Sequence, residues 1–112
     1  MKYVCLVYGP EDAMATVDDR ECAAFGQELM EAKKYLSGQA LMPVETATTV
    51  RVRQGKVSVT DGPFAETKEQ LAGFYLIEAR DLNDAIRIAS NIPPARIGSI
   101  EVRPARELNV GD

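Results

Sequence analysis

An α+β sandwich, an antiparallel sheet with two helices on one face, is the fold class this sequence predicts, and three observations carry it. The runs at residues 3–8 and 71–77 are apolar on both parities, as strands covered on both faces are. Two stretches, opening at Asp18 and at Asp81, repeat apolar residues at 3–4 spacing, the mark of amphipathic helices. Between them residues 48–60 alternate around Gln54-Gly55, the pattern of a β-hairpin. The order β-α-β-β-(β)-α-β with short connections is that of a ferredoxin-like sandwich.

The first strand, residues 2–8, sends Tyr3, Cys5 and Val7 one way and Val4, Leu6 and Tyr8 the other, and Gly9-Pro10 ends it. Asp18 with Glu21 three residues on reads as a capping box with Asp as the cap. Cys22, Phe25, Leu29, Ala32 and Leu36 then mark a helix that stops near Gly38, glycine being the usual residue at a helix C-terminus. Residues 39–47 are the least legible: Gln39 to Val44 has strand character, yet Pro43 belongs at an edge or an irregular entry. In the hairpin, a two-residue loop at 54–55 pairs Arg53 with Lys56, Val52 with Val57, Arg51 with Ser58, Val50 with Val59 and Thr49 with Thr60. One face of it is valine and the other polar and basic. Asp61-Gly62-Pro63 turns the chain toward a second central strand at 71–77. Asp81 caps a helix with the stripe Leu82, Ala85, Ile86 and Ala89, ended by Pro93-Pro94. Residues 97–103 close the fold as a strand with Ile100 and Val102 on one parity. Two helices cover only one sheet face, so the two-sided strands predict a second copy of the chain over the other, a homodimer.

Length and composition fit one domain, 1–112, with 46% hydrophobic and 27% charged residues and a thin core. Thirteen Lys and Arg against 17 Asp and Glu give a net charge of −4. No basic run is present, which argues against nucleic acid as a direct partner. The apolar run from Tyr3 to Tyr8 is too short for a signal-peptide core or a membrane span, so no membrane association and a cytoplasmic location are expected. Cys5 and Cys22 lack ligand-like spacing and read as buried free thiols. The chain has no histidine, so the commonest zinc ligand and the commonest general base at neutral pH are missing. No metal or cofactor is expected, and any chemistry falls to carboxylates, lysine, arginine, tyrosine or threonine.

The stretch that stands out runs from Thr60 through Asp61-Gly62-Pro63-Phe64 to Gln70. It has a plain structural role: Asp accepts hydrogen bonds from turn amides, Gly tolerates unusual φ, and Pro fixes the exit. It also has a functional reading. In extended geometry Glu66 and Lys68 share a side, and the hairpin brings Thr49 opposite Thr60, next to Asp61, with Arg51 one pair along. Asp61, Glu66 and Lys68 are then candidate catalytic groups for proton abstraction or for holding a cation. Arg51, Phe64, Tyr75 and Thr49 are candidate ligand contacts, the arginine suited to a carboxylate or phosphate. Solvated surface ion pairs of little energetic weight are the competing account, and Tyr8 and Tyr75 equally suit the lining of the core or of a dimer cavity.

Several segments resemble the YCII-related domain family in its DGPF-containing branch: Thr46-Ala47-Thr48-Thr49-Val50-Arg51, Val59-Thr60-Asp61-Gly62-Pro63-Phe64-Ala65-Glu66-Thr67-Lys68-Glu69, Gly73-Phe74-Tyr75 and Gly98-Ser99-Ile100-Glu101-Val102-Arg103-Pro104. The resemblance covers nearly the whole chain. It implies a dimeric α+β barrel in which two ferredoxin-like sheets pack face to face. A histidine–aspartate pair proposed for some relatives cannot be carried over to a chain without histidine. Encoding of the DGPF branch beside extracytoplasmic-function sigma factors implies a second function, a non-catalytic module acting on a sigma factor. The first is binding, or cofactor-free conversion, of a small organic molecule.

Overall fold

The computed structural model describes residues 1–111. Its centre is a four-stranded antiparallel sheet of β1 (Lys2–Gly9), β2 (Tyr35–Ala40), β5 (Gln70–Glu78) and β6 (Ser99–Pro104), in the order β2-β5-β1-β6. Helices α2 (Asp19–Glu31) and α3 (Leu82–Ala89) pack on one face; a single turn, α1 (Glu11–Met14), precedes α2. Strands β3 (Thr48–Arg53) and β4 (Lys56–Asp61) form a separate two-stranded sheet. The predicted α+β, ferredoxin-like arrangement is therefore observed, with the two apolar runs as its two central strands.

The core explains the arrangement. Tyr3, Cys5 and Val7 of β1 face the same way as Ile77 of β5, and all are buried against Phe25 and Leu29 of α2 and Ala85, Ile88 and Ala89 of α3. The opposite parity, Val4, Leu6 and Tyr8 of β1 with Phe74 and Leu76 of β5, is half-buried on a face that carries no helix. Where β6 begins, Gly98 lies against β1 so closely that a Cβ would fall inside the Tyr8 carbonyl oxygen, a position only glycine fills.

Several boundaries differ from the sequence expectation for local physical reasons. Helix α2 ends at Glu31, not near Gly38. Lys33 adopts a left-handed φ of 62°, Lys34 N–H donates to the Leu29 carbonyl (2.9 Å) and Lys33 N–H to the Met30 carbonyl (3.0 Å). These paired bonds close a helix end that usually carries glycine. Leu36 therefore stands on β2, exposed, although its spacing from Leu29 fits a helix. Asp18 does cap α2, accepting from Arg20 N–H at 2.8 Å, but Glu21 does not return to complete a capping box. It takes both guanidinium nitrogens of Arg96, at 2.6 and 2.9 Å.

Helix α3 is rotated from its expected stripe. Ala85, Ile88 and Ala89 are buried with Asp84, while Leu82 and Ile86 are 50% and 47% exposed. The rotation is set by Asp84, whose carboxylate turns inward to the Lys34 ammonium (3.3 Å) and the Arg80 backbone N–H (2.9 Å). A 3-10 turn, Pro93–Arg96, then leads to β6, which begins at Ser99.

The hairpin register is the expected one from Arg53–Lys56 to Thr49–Thr60, extended by Thr48–Asp61. Gln54 and Gly55 both have positive φ, 52° and 76°, the turn that suits the right-handed twist of a two-residue hairpin. The hairpin does not join the main sheet. It projects as an arm, and the radius of gyration is 16.0 Å, where a compact chain of this length has about 13 Å.

Candidate functional site

Beneath α2, on the helix-covered face of the sheet, a groove of about 550 Å³ opens beside the β2 edge, a size suited to a small organic molecule. Its wall is aromatic. Tyr75 of β5 meets Phe25 edge to face at 5.3 Å and 81°, and Tyr35 of β2 meets Tyr75 at 6.4 Å and 78°; such geometry aligns ring edges with ring faces. Val7, Cys22, Gly26 and Met30 complete the apolar lining, and Asp19 and Gln27 lie at its polar end.

Two features make this space a candidate site. Gly26 is buried in the middle of α2, and a Cβ built on it would meet no atom within 4 Å. Glycine inside a helix costs about 1 kcal/mol relative to alanine, yet no packing requires it here. The second feature is the Tyr75 hydroxyl, which makes no hydrogen bond to any described residue. It is not sealed in the core, since no enclosed side-chain polar atom lacks a partner among the described residues. The Tyr35 hydroxyl makes only a long contact, 3.4 Å, to the Gly38 carbonyl.

Electrostatics fix what these groups can do. Burial, aided by Cys22 and Tyr35, pushes the Tyr75 phenol up to about 12, so it stays a neutral hydrogen-bond donor at any physiological pH. Burial and then the nearby Asp19 and Glu21 carboxylates raise the Cys22 thiol, and burial raises Cys5 to about 11. Both thiols are free, Cys5 fully buried and Cys22 half-buried, and neither is poised as a thiolate nucleophile. The groove can hold an apolar body and donate to an acceptor. Among the described residues no group of three or more Cys, Asp or Glu side chains is placed to hold a metal ion.

The residues singled out in the sequence lie on three separate surfaces. Tyr75 lines the groove. Glu66 lines a shallower crevice of about 500 Å³ with Glu11, Glu45, Gly62 and Pro63. Arg51, on the arm, pairs across from Ser58, and Asp61 pairs with Thr48 at its base. The chain from 62 to 69 is irregular, so the extended geometry that would align Glu66 with Lys68 is absent. Phe64 is 79% exposed and Lys68 is exposed. Neither lines the groove or the crevice. Thr49 has a structural part: its hydroxyl donates to the Gly62 carbonyl at 2.8 Å, and Gly62 N–H donates to the Ala47 carbonyl at 2.7 Å. With Gly62 at φ 102°, these bonds fix the turn at the base of the arm.

Sequence reading passed over two features. Gly26 left a signal, a glycine amid helix formers between Phe25 and Leu29. The Asp84 cluster left a fainter one, a second acid three residues after the cap. Asp84, 3% exposed, gathers Lys34, the Arg80 backbone N–H and the Arg87 guanidinium. The Arg80 N–H first, then Lys34 and Arg87, hold its carboxyl at about 2 against the opposing effect of burial.

The comparisons with known proteins assign the chain a family. The YCII-related domain matches residues 1–109. An uncharacterised protein of Rhizobium meliloti (strain 1021) is 40% identical over 121 aligned positions, which cover 100% of this chain and 98% of that protein. On the sheet order, the two-helix face and these matches, the chain belongs to the YCII-related domain family.

Proposed function

We propose that the protein is a homodimer that binds a small organic molecule in the groove beneath α2, with the apolar part of the ligand against Phe25, Gly26 and Met30 and an acceptor atom on the Tyr75 hydroxyl. The observation that carries this reading is the empty space at Gly26 beside an unpartnered phenol. A helix that gives up the stability of alanine to keep a void open behaves as functional sites do, trading stability for space. Binding is the activity the groove supports, because its hydroxyl and thiol are both neutral at physiological pH. The homodimer rests on the helix-free sheet face, where Val4, Leu6, Phe74 and Leu76 form a continuous apolar surface.

Native mass spectrometry of the purified protein, compared with Gly26→Leu, tests the groove. A leucine side chain fills the void without touching the sheet's other face. The expected result is a molecule of a few hundred daltons retained by the parent and absent from the variant. Equal retention by the two proteins places the ligand elsewhere.

A second reading, a non-catalytic module for an extracytoplasmic-function sigma factor, is favoured by the arm, whose outer side carries Arg51, Arg53 and Lys56 with no acid between Thr48 and Thr60. Co-purification of such a factor with the parent, lost on Arg51→Glu, supports it.

A further inference from the structure

The arm poses a problem that one protomer does not solve. Val50 and Val59 pair directly, as do Val52 and Val57, so all four side chains stand on one face, 57–67% exposed. The two strands pack chiefly on each other and stand off the body of their own chain. An isolated two-stranded ribbon is marginal in water, and its uncharged valine face needs a cover.

We propose that the β3–β4 arm is an exchange arm: its valine face lies across a second copy of this chain, while Arg51, Arg53 and Lys56 remain on its outer side. The proposal rests on the homodimer described above and adds the element that completes it. Area is the first argument. Four strands about 4.8 Å apart, six to nine residues long at ~3.3 Å rise, present only about 450 Å² of sheet face, whereas a stable interface of ordinary size takes roughly 800 Å² per partner. By the same arithmetic an arm of two six-residue strands presents about 200 Å². In a two-fold pair each protomer lends one arm and receives one, so the arms raise the total to about 850 Å² per protomer.

Charge is the second argument. Three of the 13 basic residues sit on the arm with one of the 17 acids, Asp61 at its base. The arm is thus net positive and the rest of the chain net negative, so across the thickness of the arm, without contact ion pairs, a second copy's body attracts it and opposes the repulsion between two chains of net charge −4.

Sedimentation velocity over nanomolar to micromolar concentrations tests the arm in the full chain. Val52→Glu with Val57→Glu places two carboxylates on the valine face, far from the core, so the far-UV spectrum of the folded protein is retained. The expected result is dimer dissociation at least 100-fold more favourable than in the parent. The same change at Leu82 and Ile86, about half exposed on α3, leaves the dissociation constant within threefold. A parent that is dimeric, with an arm variant within threefold of it, overturns the arm's role and leaves the homodimer standing. An equal loss from the α3 pair also overturns it, since charge alone would then account for the effect. A monomeric parent overturns the homodimer and the arm together.

Discussion

Replacing Gly26 by alanine should make this protein more stable, and the size of the gain follows from the structure. Glycine in a helix interior is about 1 kcal/mol worse than alanine because its unfolded chain has more freedom to lose. At most buried positions that gain is offset by crowding. Here the offset is absent, because the new methyl meets no atom within 4 Å. The net expectation is a gain of about 1 kcal/mol. It would be read as a higher urea midpoint at unchanged slope, and as a rise of about 4 °C in melting temperature for a chain of this size. Parent and variant must be compared at one protein concentration, since the melting temperature of a homodimer would depend on concentration. A loss of 0.5 kcal/mol or more would show that the space at Gly26 is filled in solution, and the groove would lose its principal support.

Further expectations follow from other parts of the structure. Tyr75→Phe keeps both edge-to-face contacts and removes a hydroxyl with no protein partner, so urea stability should stay within about 0.5 kcal/mol of the parent, while any groove ligand measured by calorimetry binds several-fold more weakly; a stability loss above 1 kcal/mol would reveal a structural hydrogen bond instead. Asp84 has a folded pKa of about 2, below the usual carboxylate value. Its contribution is therefore fully present above pH ~4 and is lost as pH falls toward 2. Urea midpoints across that window should drop steeply for the parent and less steeply for Asp84→Asn, and parallel curves would exclude Asp84 as the cause. Ile77→Ala, at a position with 0% exposure, should cost about 2–5 kcal/mol by denaturant unfolding. Asp61→Ala should leave groove binding unchanged, because Asp61 stands at the base of the arm opposite Thr48.

What the sequence determined by itself are the features set by local repetition. Alternation placed the hairpin and its register pair by pair, because a one-residue slip would mix valines with arginines. Two-sided apolarity marked β1 and β5 as the central strands, and Asp18 and Asp81 announced two helix starts through the acceptors they offer to free N–H groups. The helix ends were less legible. Leu36 continues the spacing of Leu29, and only the left-handed turn at Lys33, stabilised by bonds back to Leu29 and Met30, decides that β2 starts there. The rotation of α3 was equally hidden, since Leu82 and Ile86 are as apolar as the residues it buries; the inward pull of Lys34 on Asp84 settles it. The candidate site shows the same division. Charge density drew attention to residues 61–68, but density along a chain says nothing about convergence in space, and the irregular segment disperses those side chains over the arm base and a crevice. A void has no residue of its own to read. The groove arises where α2 crosses the sheet over Tyr75, and only tertiary packing could reveal that Gly26 leaves it open.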